Sequence, residues 1–182
     1  MVTQHGGEAL DWVTLIYRVP REPSAPRIAV WRKLRALGVA QLGDGLVALP
    51  EDARTREHLE WVADQVIEAG GTALLLRAQA LAHRDERALA QSMSRARAEE
   101  YRELAARAAE VEAEAAGPVE RARVLKRLRA DLRKIKKRDY FPPAERDDAV
   151  AAVNRLAITV DDRFAPGLSR GGRRRNSETL RG

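Results

Sequence analysis

Apolar positions change their period several times along this chain, and each change marks a new element. Trp12-Val13-Thr14-Leu15-Ile16-Tyr17 is an unbroken apolar, β-branched and aromatic run of the kind a buried strand shows. Pro20 to Pro26 break the run, and Ile28, Trp31, Leu34 and Leu37 then recur at helical spacing until Gly38 stops the helix. Residues 39–42 and 46–49 flank Gly43-Asp44-Gly45 and read as a tight hairpin whose glycines supply positive φ, with Pro50 closing the second strand. From Asp52, a suitable N-cap, Leu59, Val62, Val66 and Ile67 make another helical stripe with Trp61 beside it, up to Gly70-Gly71. Residues 72–78 are a fourth strand.

The resulting order, βαββαβ over residues 11–82, predicts a ferredoxin-like split βαβ domain: an antiparallel sheet with two helices on one face. In that frame Trp12, Trp31 and Trp61 are packing residues rather than a platform for stacked bases. Residues 85–116 contain no glycine or proline, and Leu89, Met93, Ala96, Leu104, Ala108, Val111 and Ala115 fall mostly at steps of three and four, which predicts one long amphipathic helix. Its polar face mixes arginines and glutamates, as solvated helices do. Gly117-Pro118 interrupts it, and a second helix over 119–138 carries Leu125, Leu128, Leu132 and Ile135.

Two such narrow stripes bury each other in an antiparallel hairpin, or pair between the subunits of a homodimer. After Asp139-Tyr140-Phe141-Pro142-Pro143 comes a shorter helix with Ala149, Val150, Val153 and Leu156. The fold expectation is therefore α+β: a ferredoxin-like domain at 11–82, a long helical hairpin plus a short helix at 85–158, and a disordered basic tail at 161–182.

Composition narrows the picture. Hydrophobic residues make up 45% of the chain but aromatics only 4%, and alanine supplies much of the rest, so a modest core with alanine-rich helices is expected. The formal charge of +6 is unevenly divided: residues 1–117 carry 15 Lys and Arg against 18 Asp and Glu, a net −3, and residues 118–182 carry 18 against 9, a net +9. Such asymmetry points to an anionic partner, nucleic acid before membrane. There is no cysteine, hence no disulfide or thiolate chemistry, and no signal-like start or membrane-length apolar run, which makes a cytoplasmic location the expectation.

Within the basic third, Arg121, Arg123, Lys126, Arg127, Arg129, Arg133, Lys134, Lys136, Lys137 and Arg138 crowd around one apolar stripe with Asp131 as the single acid among them. That is ten cations on about 27 Å of helix. They form the candidate nucleic-acid-binding set: cations on a helix neutralise phosphates and release counterions, a sequence-independent and salt-sensitive mode of binding. Arg170-Gly171-Gly172-Arg173-Arg174-Arg175 in the tail is a candidate flexible phosphate contact, and Arg21, Arg27, Arg32, Lys33 and Arg35 a second basic surface.

Enzyme chemistry finds little support. His5, His58 and His83 have no partner at metal-ligand spacing, and no phosphate-binding loop, dinucleotide fingerprint or hydrolase motif occurs, so neither cofactor nor metal is expected. Small ferredoxin-like nucleases hold a metal with an aspartate at the end of the first strand, where this chain has Arg18.

The strings Val19-Pro20-Arg21-Glu22-Pro23-Ser24 and Val30-Trp31-Arg32-Lys33-Leu34, with Leu46 to Pro50 and Thr55-Arg56-Glu57, resemble the N-terminal domain of the chromate-resistance regulator ChrB, whose opening segment is in turn similar to PaaX-type repressors. The resemblance extends over roughly residues 11–156. It implies a transcriptional regulator that binds promoter DNA of a chromate- or metal-stress operon. The family typically continues into a further domain linked to chromate sensing, where this sequence runs into arginines. An effector, chromate or another oxyanion, would be held among clustered arginines. The alternatives are a non-enzymatic interaction or dimerisation module serving a separate sensing domain, and a metal-dependent nuclease.

Overall fold

The structure is a computed structural model that describes residues 10–114 and 117–164, the last six by backbone alone. It is α+β, with a four-stranded antiparallel sheet and five helices among the described residues. The elements are β1 (Asp11–Arg18), α1 (Ser24–Leu37), β2 (Ala40–Gly43), β3 (Leu46–Pro50), α2 (Ala53–Glu68), β4 (Thr72–Gln79), α3 (His83–Ala113), α4 (Pro118–Lys137) and α5 (Glu145–Phe164). The strands lie in the order β2-β3-β1-β4, and every neighbouring pair is antiparallel. Leu15, at the centre, sits opposite Val47 on one side and Leu75 on the other.

The first core joins Val13, Leu15, Val47 and Leu49 of the sheet to Val30 and Leu34 of α1 and Leu59, Val62 and Val66 of α2. Local chemistry sets where α2 starts. The Thr55 amide donates to Asp52 Oδ1 (2.6 Å) and the Asp52 amide to Thr55 Oγ1 (2.9 Å), a capping box that satisfies donors left open at a helix start. Residue alternation along β1 sends Trp12 to the other face, where its ring lies 6.0 Å from Phe141 and shares a cluster with Met93 of α3. The sheet face is covered there, while Ile16, opposite Leu74, and Leu76 stay exposed.

Two expectations about the helices need correction. In α1 the buried residues are Val30 and Leu34, with Ile28 and Trp31 exposed, and in α2 Trp61 and Ile67 are exposed as well. Only Trp12 of the three tryptophans is a core residue. Three- and four-residue spacing establishes a helix but tolerates two phases, and the sheet selects the one that presents Val30 and Leu34 in α1 and Leu59, Val62 and Val66 in α2.

The two-helix hairpin is also incomplete. Tyr101, Leu104 and Ala108 of α3 and Leu125, Leu128 and Ile135 of α4 share a second core with Ala149, Ala152, Val153 and Leu156 of α5. The alanine-rich stripes bury too little area pairwise, and a third helix closes the bundle, its own alanines allowing close approach. α5 has 20 residues and runs to Phe164, past residue 161 where the tail was expected to begin. The Arg170–Arg175 cluster, the remainder of the expected tail, His5 and Ala115 lie outside the described residues.

Leu128→Ala should lower stability by about 2–5 kcal/mol because it opens a cavity at a fully buried site. Ile67→Ala, at a site more than half exposed, should cost under about 1 kcal/mol. Urea midpoints of the two variants check the contrast.

Candidate nucleic-acid interface

Eight of the ten arginines and lysines singled out on α4 face solvent: Arg123, Lys126, Arg127, Arg129, Arg133, Lys134, Lys136 and Lys137. Leu125, Leu128 and Ile135 turn inward, so helical geometry spreads the cations over the opposite face, with Lys126, Arg133 and Lys137 close to one line along it. Lys134 pairs with Asp131 at 3.2 Å and Arg123 approaches Glu120 at 3.9 Å. The other six have no ionic partner among the described residues. Lys134, Lys136 and Lys137 also occupy the last turn, where cations favour the negative end of the helix dipole.

Arg121 and Arg138 are not part of that face. Arg121 is buried and donates through Nη2 to the Glu114 carbonyl oxygen at 2.6 Å. Arg138 donates through Nη2 to Glu100 Oε2 at 2.6 Å and through Nη1 to the Arg35 carbonyl oxygen at the end of α1. An arginine in a basic helix is indistinguishable in sequence from its neighbours; the packing of α3 and α1 takes these two for internal contacts.

Around Arg138 lies a polar junction that sequence reasoning did not find. Arg97 is buried and donates through Nη2 to Glu100 Oε1 at 2.8 Å, and burial, followed by the charge of Arg138, pulls its pKa down while Glu100 and Asp139 oppose the shift. The Tyr101 hydroxyl donates to Asp139 Oδ2 at 2.8 Å, and Arg146 approaches the same oxygen at 3.6 Å. The Tyr140 hydroxyl donates to the Leu37 carbonyl oxygen. The signal that could have pointed here is Gly38, at φ 71°: a Cβ there would stand 2.6 Å from Arg97 Nη1 and 2.9 Å from Arg138 Cβ. The cleft between α1, α3 and α4 carries Arg35, Arg107, Lys134 and Arg138, but Glu100, Glu103 and Asp131 line it too and largely neutralise it as an oxyanion site.

The second basic surface is present on α1. Arg27, Arg32 and Arg35 are exposed, Arg18 is exposed at the end of β1, and none of the four has a carboxylate partner among the described residues. Arg35 instead places its guanidinium 5.3 Å from the centre of the Trp31 ring, a cation–π contact. His58 packs beside Trp61, and no group of three or more His, Cys, Asp or Glu among the described residues is placed to hold a metal ion. No helix among them is long and apolar enough to cross a membrane.

Residues 27–165 match the family model described as "Protein ChrB, N-terminal". The match begins inside α1 and covers most of the chain, so β1 and the Val19–Ser24 string that carried part of the resemblance precede it. No curated protein and no solved structure matches.

All three tyrosines of the chain have pKa values above the ordinary 10.0, with burial the first cause in each: Tyr17 and Tyr101 are raised further by Asp44 and Asp139, and Tyr140 is partly relieved by Arg54. A pKa raised on folding means that the fold favours the protonated phenol. This contribution to stability is whole below pH 10 and is lost as pH rises through the folded-state values. Spectrophotometric titration should show all three ionising above pH 10 in the native protein and together near 10 in denaturant. Tyr101→Phe, which leaves Asp139 without its hydroxyl donor, should cost about 1–3 kcal/mol by chemical denaturation.

Proposed function

The chain belongs to the family of ChrB N-terminal domains, and from that membership together with the charge on α4 we propose that it is a non-enzymatic, DNA-binding regulator of a chromate- or metal-stress-resistance operon. The observation that carries the proposal is the outward face of α4: eight exposed cations, six of them without an ionic partner among the described residues, on about 21 Å of one helix. Like charges at this density repel one another unless an anion is near, and duplex DNA presents one phosphate charge per about 1.7 Å of its axis. The bundle core fixes α4 along one side, so the face is held rigid before any partner arrives, which lowers the ordering cost of binding.

In this reading the contact set is Arg123, Lys126, Arg127, Arg129, Arg133, Lys134, Lys136 and Lys137, while Arg121 and Arg138 hold α4 in place. The contacts are to phosphate, so they position the protein without reading sequence. We read the N-terminal unit as ferredoxin-like, for which the strand order β2-β3-β1-β4 and the shared core of α1, α2 and the sheet are the support. The non-enzymatic reading is supported by Arg18, which stands at the end of β1 where small ferredoxin-like nucleases carry a metal-binding aspartate.

Electrophoretic retardation of duplex promoter DNA between about 50 and 200 mM salt tests the assignment. The wild-type chain should lose affinity linearly on logarithmic axes. K126A/R133A/K137A should bind more weakly and show a slope shallower by about 0.9 per phosphate contact removed. Identical affinity and slope in the two proteins would reject α4 as the interface.

A further inference from the structure

A cleft of about 700 Å³ opens between the end of β1, the exposed side of α1 and the β2–β3 turn, and no residue of α4 lines it. Its walls combine an exposed aromatic plane, two arginines and several hydrogen-bonding groups. Trp31 is 54% exposed, a large apolar plane left in water by a helix that had Val30 and Leu34 to bury. Arg27 lies one turn before Trp31 on the helix and lines the cleft with it, while Arg35, one turn after, holds its guanidinium over the ring. Arg18 enters the same cleft from the strand. Arg18 and Arg27 come from different elements, and neither has an acidic partner among the described residues.

The opposite wall is the hairpin turn. It is drawn close to β1 by the bond from the Tyr17 amide to the Gly45 carbonyl oxygen (2.7 Å), with Gly45 at φ 73° and no room for a Cβ against the Tyr17 carbonyl. Gln41, Asp44 and Tyr17 line this side and offer both donors and acceptors. Asp44 lies near enough to Tyr17 for its charge to help raise the phenol's pKa, yet it forms no ion pair with Arg18 or Arg27 among the described residues.

We propose that this cleft is a binding site for a nucleotide unit, with the base stacked on Trp31, the phosphate taken by Arg18 and Arg27, and the base edge met by Gln41 and Asp44. Each part of the ligand answers one part of the wall. The planar base stacks on the part of the indole that Arg35 leaves open, more than half of Trp31 being exposed, as unpaired bases do on aromatic side chains. The phosphate supplies the counter-charge that the two arginines lining the cleft lack among the described residues. A carboxylate beside the base accepts from an exocyclic amine, which favours cytosine over a base without one. An acidic peptide would satisfy the arginines but would make no use of the indole or of Asp44. The site goes beyond the duplex contacts proposed for α4, because a base within a duplex cannot stack on a side chain. The ligand is either a free mononucleotide or an unpaired nucleotide of a strand.

The full chain carrying W61F, which leaves Trp31 as the exposed tryptophan and Trp12 buried, reports on the site by fluorescence. Cytidine monophosphate and a short single-stranded oligodeoxycytidylate are the probes, with inorganic phosphate and an oligoglutamate peptide as controls. At least one probe should quench the emission saturably, and R18A/R27A in the same background should weaken that binding at least tenfold with an unchanged circular dichroism spectrum. K126A/R133A/K137A should leave it within twofold, so loss of duplex retardation and loss of quenching are separable failures. Saturation by the oligonucleotide at concentrations at least tenfold lower than the mononucleotide assigns the site to a strand, and equal saturation assigns it to a free nucleotide. Absence of saturable quenching by both probes, equal competition by inorganic phosphate or by the peptide, or an R18A/R27A protein that binds as well as its parent would overturn the proposal.

Discussion

The carboxyl end of α1 is the point on which the arrangement of this protein depends. Helix ends present carbonyl oxygens without partners and a partial negative charge, and here that end is met by arginines and a tyrosine from the helical bundle. Arg138 reaches the Arg35 carbonyl, Tyr140 reaches the Leu37 carbonyl, and Arg97 and Arg138 pack against Gly38, whose positive φ disfavours a side chain there. Glu100 lies between Arg97 and Arg138 and pairs with each through a different carboxylate oxygen. Burying charge is costly unless each group is paired, which is why acid, arginine and tyrosine occur together at this junction rather than singly. Removing one member would leave the others exposed to that cost.

This junction separates two populations of cations that composition alone treats as one. Those turned inward bond to carboxylates and backbone oxygens: Arg97 and Arg121 do so within the bundle, and Arg138 also reaches across to the end of α1. Most of those turned outward on α4 form no ion pair among the described residues, and neither do Arg18 and Arg27 near Trp31. A net charge of +6 therefore understates the local field on α4, where six of the eight outward cations have no ionic partner among the described residues. The outward cations form two faces of different character. One is a helix with a purely ionic surface, suited to a regular polyanion, and the other is a cleft with an aromatic plane and hydrogen-bonding groups, suited to a single nucleotide unit.

Much of the fold is legible in sequence because it is written in local rules. The unbroken run from Trp12 to Tyr17, the glycines about Asp44, the Asp52 cap and the Gly117-Pro118 break each correspond to a boundary in the structure. What the same rules miss is the phase of a helix and the count of layers. Ile28 and Trp31 lie at helical spacing as convincingly as Val30 and Leu34, yet they face water, since which side of α1 is inward depends on where the sheet lies. α5 reads as a short helix because its alanines carry little hydrophobic signal, although those alanines are what let it pack against α3 and α4.

By itself, then, the sequence determined the order of strands and helices, the break between α3 and α4 and the concentration of positive charge in the last third, because periodicity, turn residues and composition act over a few neighbouring positions. Only the tertiary structure decided which arginines are free. Arg121 and Arg133 occupy the same helix and the same kind of sequence, and one is buried against Glu114 while the other is open to solvent. It also decided that Arg18, Trp31 and Asp44, distant in the chain, line one cleft. Charge availability and the meeting of remote side chains are properties of packing, and packing depends on contacts between residues that no local pattern links.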